Sequence, residues 1–171
     1  MFGAVRMRYS ASVPARLLPI YLNDHLAGSI VGVALARRAL KENDGSELGE
    51  FLRVLLAEIV EDRATLLRLM ERLGVSRSRS KMAAAWTAEK LGRLKLNGQI
   101  AGYSPLSRLV ELEALATGIQ GKRALWLALA QISDRDQRLR ELDLDALAER
   151  ARSQAERLEP YRLAAASEAL G

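Results

Sequence analysis

Leu22-Asn23-Asp24-His25-Leu26-Ala27-Gly28-Ser29-Ile30-Val31-Gly32-Val33-Ala34-Leu35-Ala36-Arg37-Arg38 is the stretch on which the reading of this chain turns. It opens on a small polar cluster holding the one histidine of the sequence, then runs from Leu26 to Ala36 without a charge. Leu18, Leu22, His25, Ser29, Gly32, Ala36 and Leu40 recur at alternating spacings of four and three, the period of one face of an α-helix. The neighbouring segments are amphipathic and this one is not, so the expectation is a helix enclosed by the others. Gly and Ser on its stripe would then let a neighbouring backbone approach closely.

Working outward, Pro14 and Pro19 suit a helix start, because a first-turn N–H has no intrahelical acceptor to lose. The first helix therefore runs from about Ala15 or Pro19 to Leu40, preceded by Met1–Val13 as a partly ordered tail. Lys41-Glu42-Asn43-Asp44-Gly45-Ser46 is a short polar turn with residues that tolerate left-handed backbone. Leu48, Leu52, Leu55, Ile59, Asp62, Leu66, Leu69 and Leu73 mark a second long helix, closing at Gly74 and antiparallel to the first. After the basic run Ser76–Lys81 comes a shorter crossover helix over Met82–Leu96, ended by Asn97-Gly98. Ser104 and Pro105 then fit the N-cap and first position of a third long helix reaching Ile132. Its apolar side is Leu109, Leu112, Ala116, Ile119 and Trp126; Gly118 and Gly121 leave open whether it is one helix or two. Asp143 caps a last helix to about Leu170, with Leu147, Ala151, Ala155 and Leu158 facing inward and Pro160 within it.

Composition agrees with an all-α chain. Of 171 residues 49% are hydrophobic and only 5% aromatic, with four prolines, and the abundant Ala, Leu, Arg and Glu lose little on entering a helix. Without cysteine there is no disulfide, thiol nucleophile or thiolate metal site. No signal-peptide core precedes Pro14, and Leu26–Ala36 falls well short of the roughly 20 residues that span a bilayer. The expectation is one helical domain over 14–171, cytoplasmic and without a membrane span. Gly118-Ile119-Gln120-Gly121-Lys122 lacks the spacing and the preceding strand of a phosphate loop, and a single histidine assembles no nucleophile–His–acid arrangement. Trp86 and Trp126 read as core anchors.

Two positions break the apolar seam, His25 in the first helix and Asp62 in the second. They lie about equally far from the Asn43–Asp44 turn, so an antiparallel pair puts them at one level. Glu58 lies one turn before Asp62, Asp24 flanks His25, and Arg63 is close enough to compensate a buried carboxylate. His25, Asp62, Glu58 and Asp24 thus form a candidate mononuclear metal or acid/base site. The alternative is a polar layer that fixes the register of two helices. A second constellation is the crossover, where Arg77, Arg79, Lys81, Lys90, Arg93 and Lys95 face the single acid Glu89. Its charge equals the formal net charge of the whole chain, +5. Such a patch can contact nucleic-acid phosphates or an anionic membrane surface, though no nucleic-acid-binding motif accompanies it; the alternative is a solvated connector kept soluble by its charges.

The order of long helices, with a crossover between the second and third, resembles the ferritin-like four-helix bundles over most of Pro19–Leu170. The runs Tyr21-Leu22-Asn23-Asp24-His25-Leu26-Ala27-Gly28, Leu94-Lys95-Leu96-Asn97 and Ser104-Pro105-Leu106-Ser107-Arg108-Leu109 also resemble an actinobacterial family of such bundles that has no assigned activity. The ferritin-like resemblance implies the fold. It does not carry di-iron chemistry here, since that group needs Glu-x-x-His motifs; Leu22 stands three before the one histidine, and Glu58-x-x-Glu61 turns Glu61 away from the seam. No cofactor follows from the sequence. The leading expectation is a bundle that works through self-association or a protein partner, followed by the His25/Asp62 site and by nucleic-acid binding through Arg77–Lys95.

Overall fold

The computed structural model describes residues 17–78, 80–81 and 103–171. The expected tail over 1–13 and crossover helix over 82–96 lie outside these, as do Arg79, Lys90, Arg93 and Lys95. Among the described residues the protein is all-helical: α1 (Leu17–Glu42), α2 (Glu47–Arg72), α3 (Pro105–Ala130), a 3₁₀ turn (Ser133–Arg135), the one-turn α4 (Gln137–Arg140) and α5 (Leu144–Leu170). None of these helices is long and apolar enough to cross a membrane.

The termini follow local chemistry. Ser46 caps α2 by accepting from the Gly49 N–H, with Glu47 and Glu50 in the first turn and Arg72 in the last, so charge complements the helix dipole at both ends. At the far end Gly74 takes φ +70°. The Val75 N–H reaches back to Met70 O at 2.8 Å and the Gly74 N–H to Glu71 O at 2.9 Å, a Schellman closure that satisfies two carbonyls the helix leaves open. Ser104 caps α3 through the Ser107 N–H with Pro105 in the first turn, and Asp143 caps α5 through the Ala146 N–H. Gly118 and Gly121 do not interrupt α3, and α5 continues through Pro160.

α1 packs on α2 and on α3, α3 packs most extensively on α5, and α2 touches α5. Ion pairs give the directions. Arg38, late in α1, meets Glu111 early in α3 at 2.6 Å; Arg108, early in α3, meets Glu168 late in α5 at 2.5 Å; Glu58 and then Asp62 along α2 meet Arg157 and Arg150 of α5 in the reverse order. Each touching pair is therefore antiparallel. α2 and α3 run the same way, so their connection leaves one end of the molecule and arrives at the other.

The core is in two parts. Val33, Ala36, Leu52, Leu55, Leu112, Ile119 and Leu158 belong to the part nearer the α1–α2 turn. Leu22, Leu26, Leu66, Leu69, Leu125, Trp126 and Leu139 form the other. The α2 stripe lies as its spacing requires, with Leu52, Leu55, Ile59, Asp62, Leu66 and Leu69 all buried. The α1 stripe does not. Its sealed face is Leu22, Leu26, Val33 and Ala36, whereas His25, Ser29 and Gly32 are half-buried and Gly28 is exposed. The apolar run of α1 is thus not enclosed by the described residues, because its small residues leave a gap that no described side chain fills.

Between the α1–α2 turn and the start of α3, a second polar cluster holds the ends together. Asn43 Nδ2 donates to Ala39 O at 2.8 Å and to the Tyr103 hydroxyl at 3.1 Å, and that hydroxyl donates to Glu111 Oε2 at 3.1 Å. Burial pushes the Tyr103 phenol up to about 12. Burial also raises the Glu111 carboxyl, against the pull of Arg38. An unfolded tyrosine ionises near 10.0, so between about pH 10 and about pH 12 the unfolded chain has lost a proton that the folded chain keeps. Stability then falls with rising pH. Urea denaturation across that interval should show a steeper fall for the wild type than for Tyr103→Phe; equal slopes would remove Tyr103 from the account.

Candidate functional site

Asp62 sits where the two parts of the core meet, on α2, and is 3% exposed. A carboxylate so placed requires opposite charge and hydrogen bonds to all its lone pairs. Lys122 on α3 and Arg150 on α5 both pair with it. Gln154, one turn after Arg150 and fully buried, donates from Nε2 to Asp62 Oδ2 at 3.2 Å while its Oε1 accepts from Lys122 Nζ. One carboxylate thus holds two cations from two other helices. Burial holds Lys122 below the usual lysine range, only partly opposed by the charge of Asp62.

Beside this layer is a cleft of about 220 Å³ between α1 and α3, closed from behind by α2. Asp24, Gly28, Ala114 and Gly118 among its lining residues are exposed and form the mouth; Ile59, Asp62, Leu66, Leu115, Ile119, Leu125 and Trp126 are buried and form the floor. Its existence traces to glycine. A Cβ built at Gly28, Gly32, Gly118 or Gly121 would meet nothing within 4 Å, and all four line the cleft. The close backbone approach expected at the small residues of α1 is therefore replaced by open space, since α3 also presents glycine at the facing positions. Two N–H donors of lining residues have no acceptor among the described residues: the indole Nε1 of Trp126, a residue 1% exposed, and Nε of the half-buried Arg63.

Asp24, His25 and Asp62 line the same cleft and Glu58 does not, but each carboxylate of this group has a cationic partner. Asp62 takes Lys122 and Arg150, Glu58 takes Arg157, and Asp24 takes Lys81 at 2.5 Å. Among the described residues no three His, Asp or Glu side chains gather to hold a metal ion. In the candidate set of His25, Asp62, Glu58 and Asp24, every carboxylate is thus already paired with a cation. Arg63, expected to compensate Asp62, does not. His25 instead meets the Tyr21 ring edge-on, with centroids 4.6 Å apart, and burial lowers its pKa more than Asp24 raises it.

Of the basic crossover, Lys81 is occupied by Asp24, and Asn23 anchors the same segment. Its Nδ2 donates to Ser76 O at 3.0 Å and its Oδ1 accepts from the Ser78 N–H at 2.6 Å. Arg77 is exposed. The sequence reading missed Lys122, Arg150 and Gln154. One signal was present: Lys122 stands three after Ile119 and four before Trp126, a cation on an apolar stripe. Comparison of the chain with protein-family models, curated proteins and solved structures finds no match.

Proposed function

We propose that this chain is a ferritin-like four-helix bundle that works without di-iron chemistry, as a binding module for a small molecule held in the cleft between α1 and α3. The antiparallel neighbours and the same-way α2 and α3 support the bundle reading. The single observation that carries the binding reading is the glycine-lined cleft. Interiors are close-packed, and Gly costs about 1 kcal/mol relative to Ala inside a helix; four glycines around one opening keep room that packing would otherwise fill. Association is the weaker reading, because the exposed apolar side chains Leu17, Val54, Leu106, Leu127 and Leu163 are spread over all four long helices. A metal ion fits poorly beside Lys122, Arg150 and Arg63.

Calorimetric titration with a neutral aromatic probe, benzyl alcohol, tests the reading. The wild type should bind one equivalent saturably, and Gly32→Leu, which fills the cleft, should abolish binding while remaining folded. No saturable binding to the wild type, or equal binding by the variant, would count against it.

A further inference from the structure

We infer that the cleft takes a compact, uncharged, apolar molecule the size of one substituted ring, and that it discriminates against ions of either sign. Class and size are what is added; that a ligand binds there at all rests on the binding-module reading.

Charge comes first. The charged residues that line the cleft are Asp24, Asp62, Arg63 and Lys122, two carboxylates against two cations. Both carboxylates are also occupied, Asp24 by Lys81 and Asp62 by Lys122 and Arg150. Burial holds His25, also on the wall, below the usual histidine range, so it adds no charge above neutral pH. An ion entering the cleft would give up its hydration and find no net opposite charge in exchange, and a buried charge is costly unless it is paired. A neutral guest meets no such penalty.

The floor then selects apolar over polar. Ile59, Leu66, Leu115, Ile119 and Leu125 line the cleft from α2 and α3, and all are buried. Their side chains offer neither donor nor acceptor, so water against them has few polar partners, and replacing it with an apolar group gains affinity. Size follows from volume: an apolar cavity of about 150 Å³ accommodates benzene, so one of about 220 Å³ accommodates about nine heavy atoms by the same proportion. One ring with a short substituent fits that room. A second ring would have to stand out past the mouth at Asp24, Gly28, Ala114 and Gly118, because the buried floor closes the other side. Toluene and benzyl alcohol meet these requirements and serve as probes.

The experiment is calorimetric titration of the full chain with toluene, benzyl alcohol, benzoate, benzylammonium and diphenylmethanol, at about pH 8, above the ordinary histidine range. Toluene should bind one equivalent at least as tightly as benzyl alcohol, with a negative heat-capacity change as apolar surface is covered. Benzoate and benzylammonium should each bind at least about tenfold more weakly than the alcohol, and diphenylmethanol, with its second ring, should bind more weakly than the alcohol too. If the alcohol binds while either ion matches it, or while toluene falls below it, the uncharged apolar class is overturned and the binding module stands. Diphenylmethanol binding as tightly as the alcohol overturns the size. If no probe binds, both readings fall. Gly32→Leu should lose toluene and benzyl alcohol together; a folded variant that keeps the wild-type ranking would place the binding outside the cleft and overturn the inference. Should that variant not fold, the ranking of the five probes on the wild type decides.

Discussion

Asp62→Ala should lose about 3 kcal/mol of stability in urea denaturation, the lower end of the range for breaking a buried pair. The loss comes less from the missing attraction than from what remains behind. Lys122, with a side chain 15% exposed, would keep its charge inside the protein with only the Gln154 carbonyl oxygen for company. Arg150, at 35%, can turn toward solvent and contributes less. The pair of substitutions is therefore more telling than the single change. Lys122→Met in the Asp62→Ala background removes the stranded charge and should restore most of the loss, giving a large coupling energy between the two sites. A double variant whose loss equals the sum of the single losses would mean that Lys122 and Asp62 do not compensate each other.

The same substitution at two glycines should act in opposite directions. A Cβ at Gly49 would lie 2.2 Å from Asn43 O and 2.9 Å from its carbonyl carbon. Both atoms are backbone of the turn that Asn43 ties to Tyr103, so neither can yield without moving α1 against α2. Gly49→Ala should cost about 3 kcal/mol, the upper part of the range for overpacking. Gly118 lies inside α3 with nothing within 4 Å of a Cβ, and Gly118→Ala should gain up to about 1 kcal/mol of helix propensity. Denaturation midpoints that move the same way for both variants would contradict the structure at one of the two positions. The gain at Gly118 should come with weaker binding in the cleft, as expected where room has been kept at the expense of stability.

What could be read in the sequence was what depends on one helix at a time. The α2 stripe, the caps at Ser104 and Asp143 and the stop at Gly74 are set by local spacing and local hydrogen bonds, and all are where the residues indicate. Asp62 was legible as a charge on an apolar seam, and its position opposite the start of α1 follows from counting back from the turn. Its partners were not, because choosing between Arg63, Lys122 and Arg150 requires knowing how α3 and α5 are rotated. The stripe of small residues on α1 was misread for the same reason. Gly28 and Gly32 permit a close backbone approach, but whether one occurs depends on α3, which brings Gly118 and Gly121 to the same cleft and leaves space instead.

The central claim is that the glycine-lined space between α1 and α3 is a binding site. Its most direct test follows the indole N–H resonance of Trp126, which lines the cleft and is identified by its loss in Trp126→Phe, during a titration with benzyl alcohol. A saturable shift of that resonance in the wild type, absent from Gly32→Leu, is the expected result. A resonance that stays in place, or that moves without saturating, would contradict it.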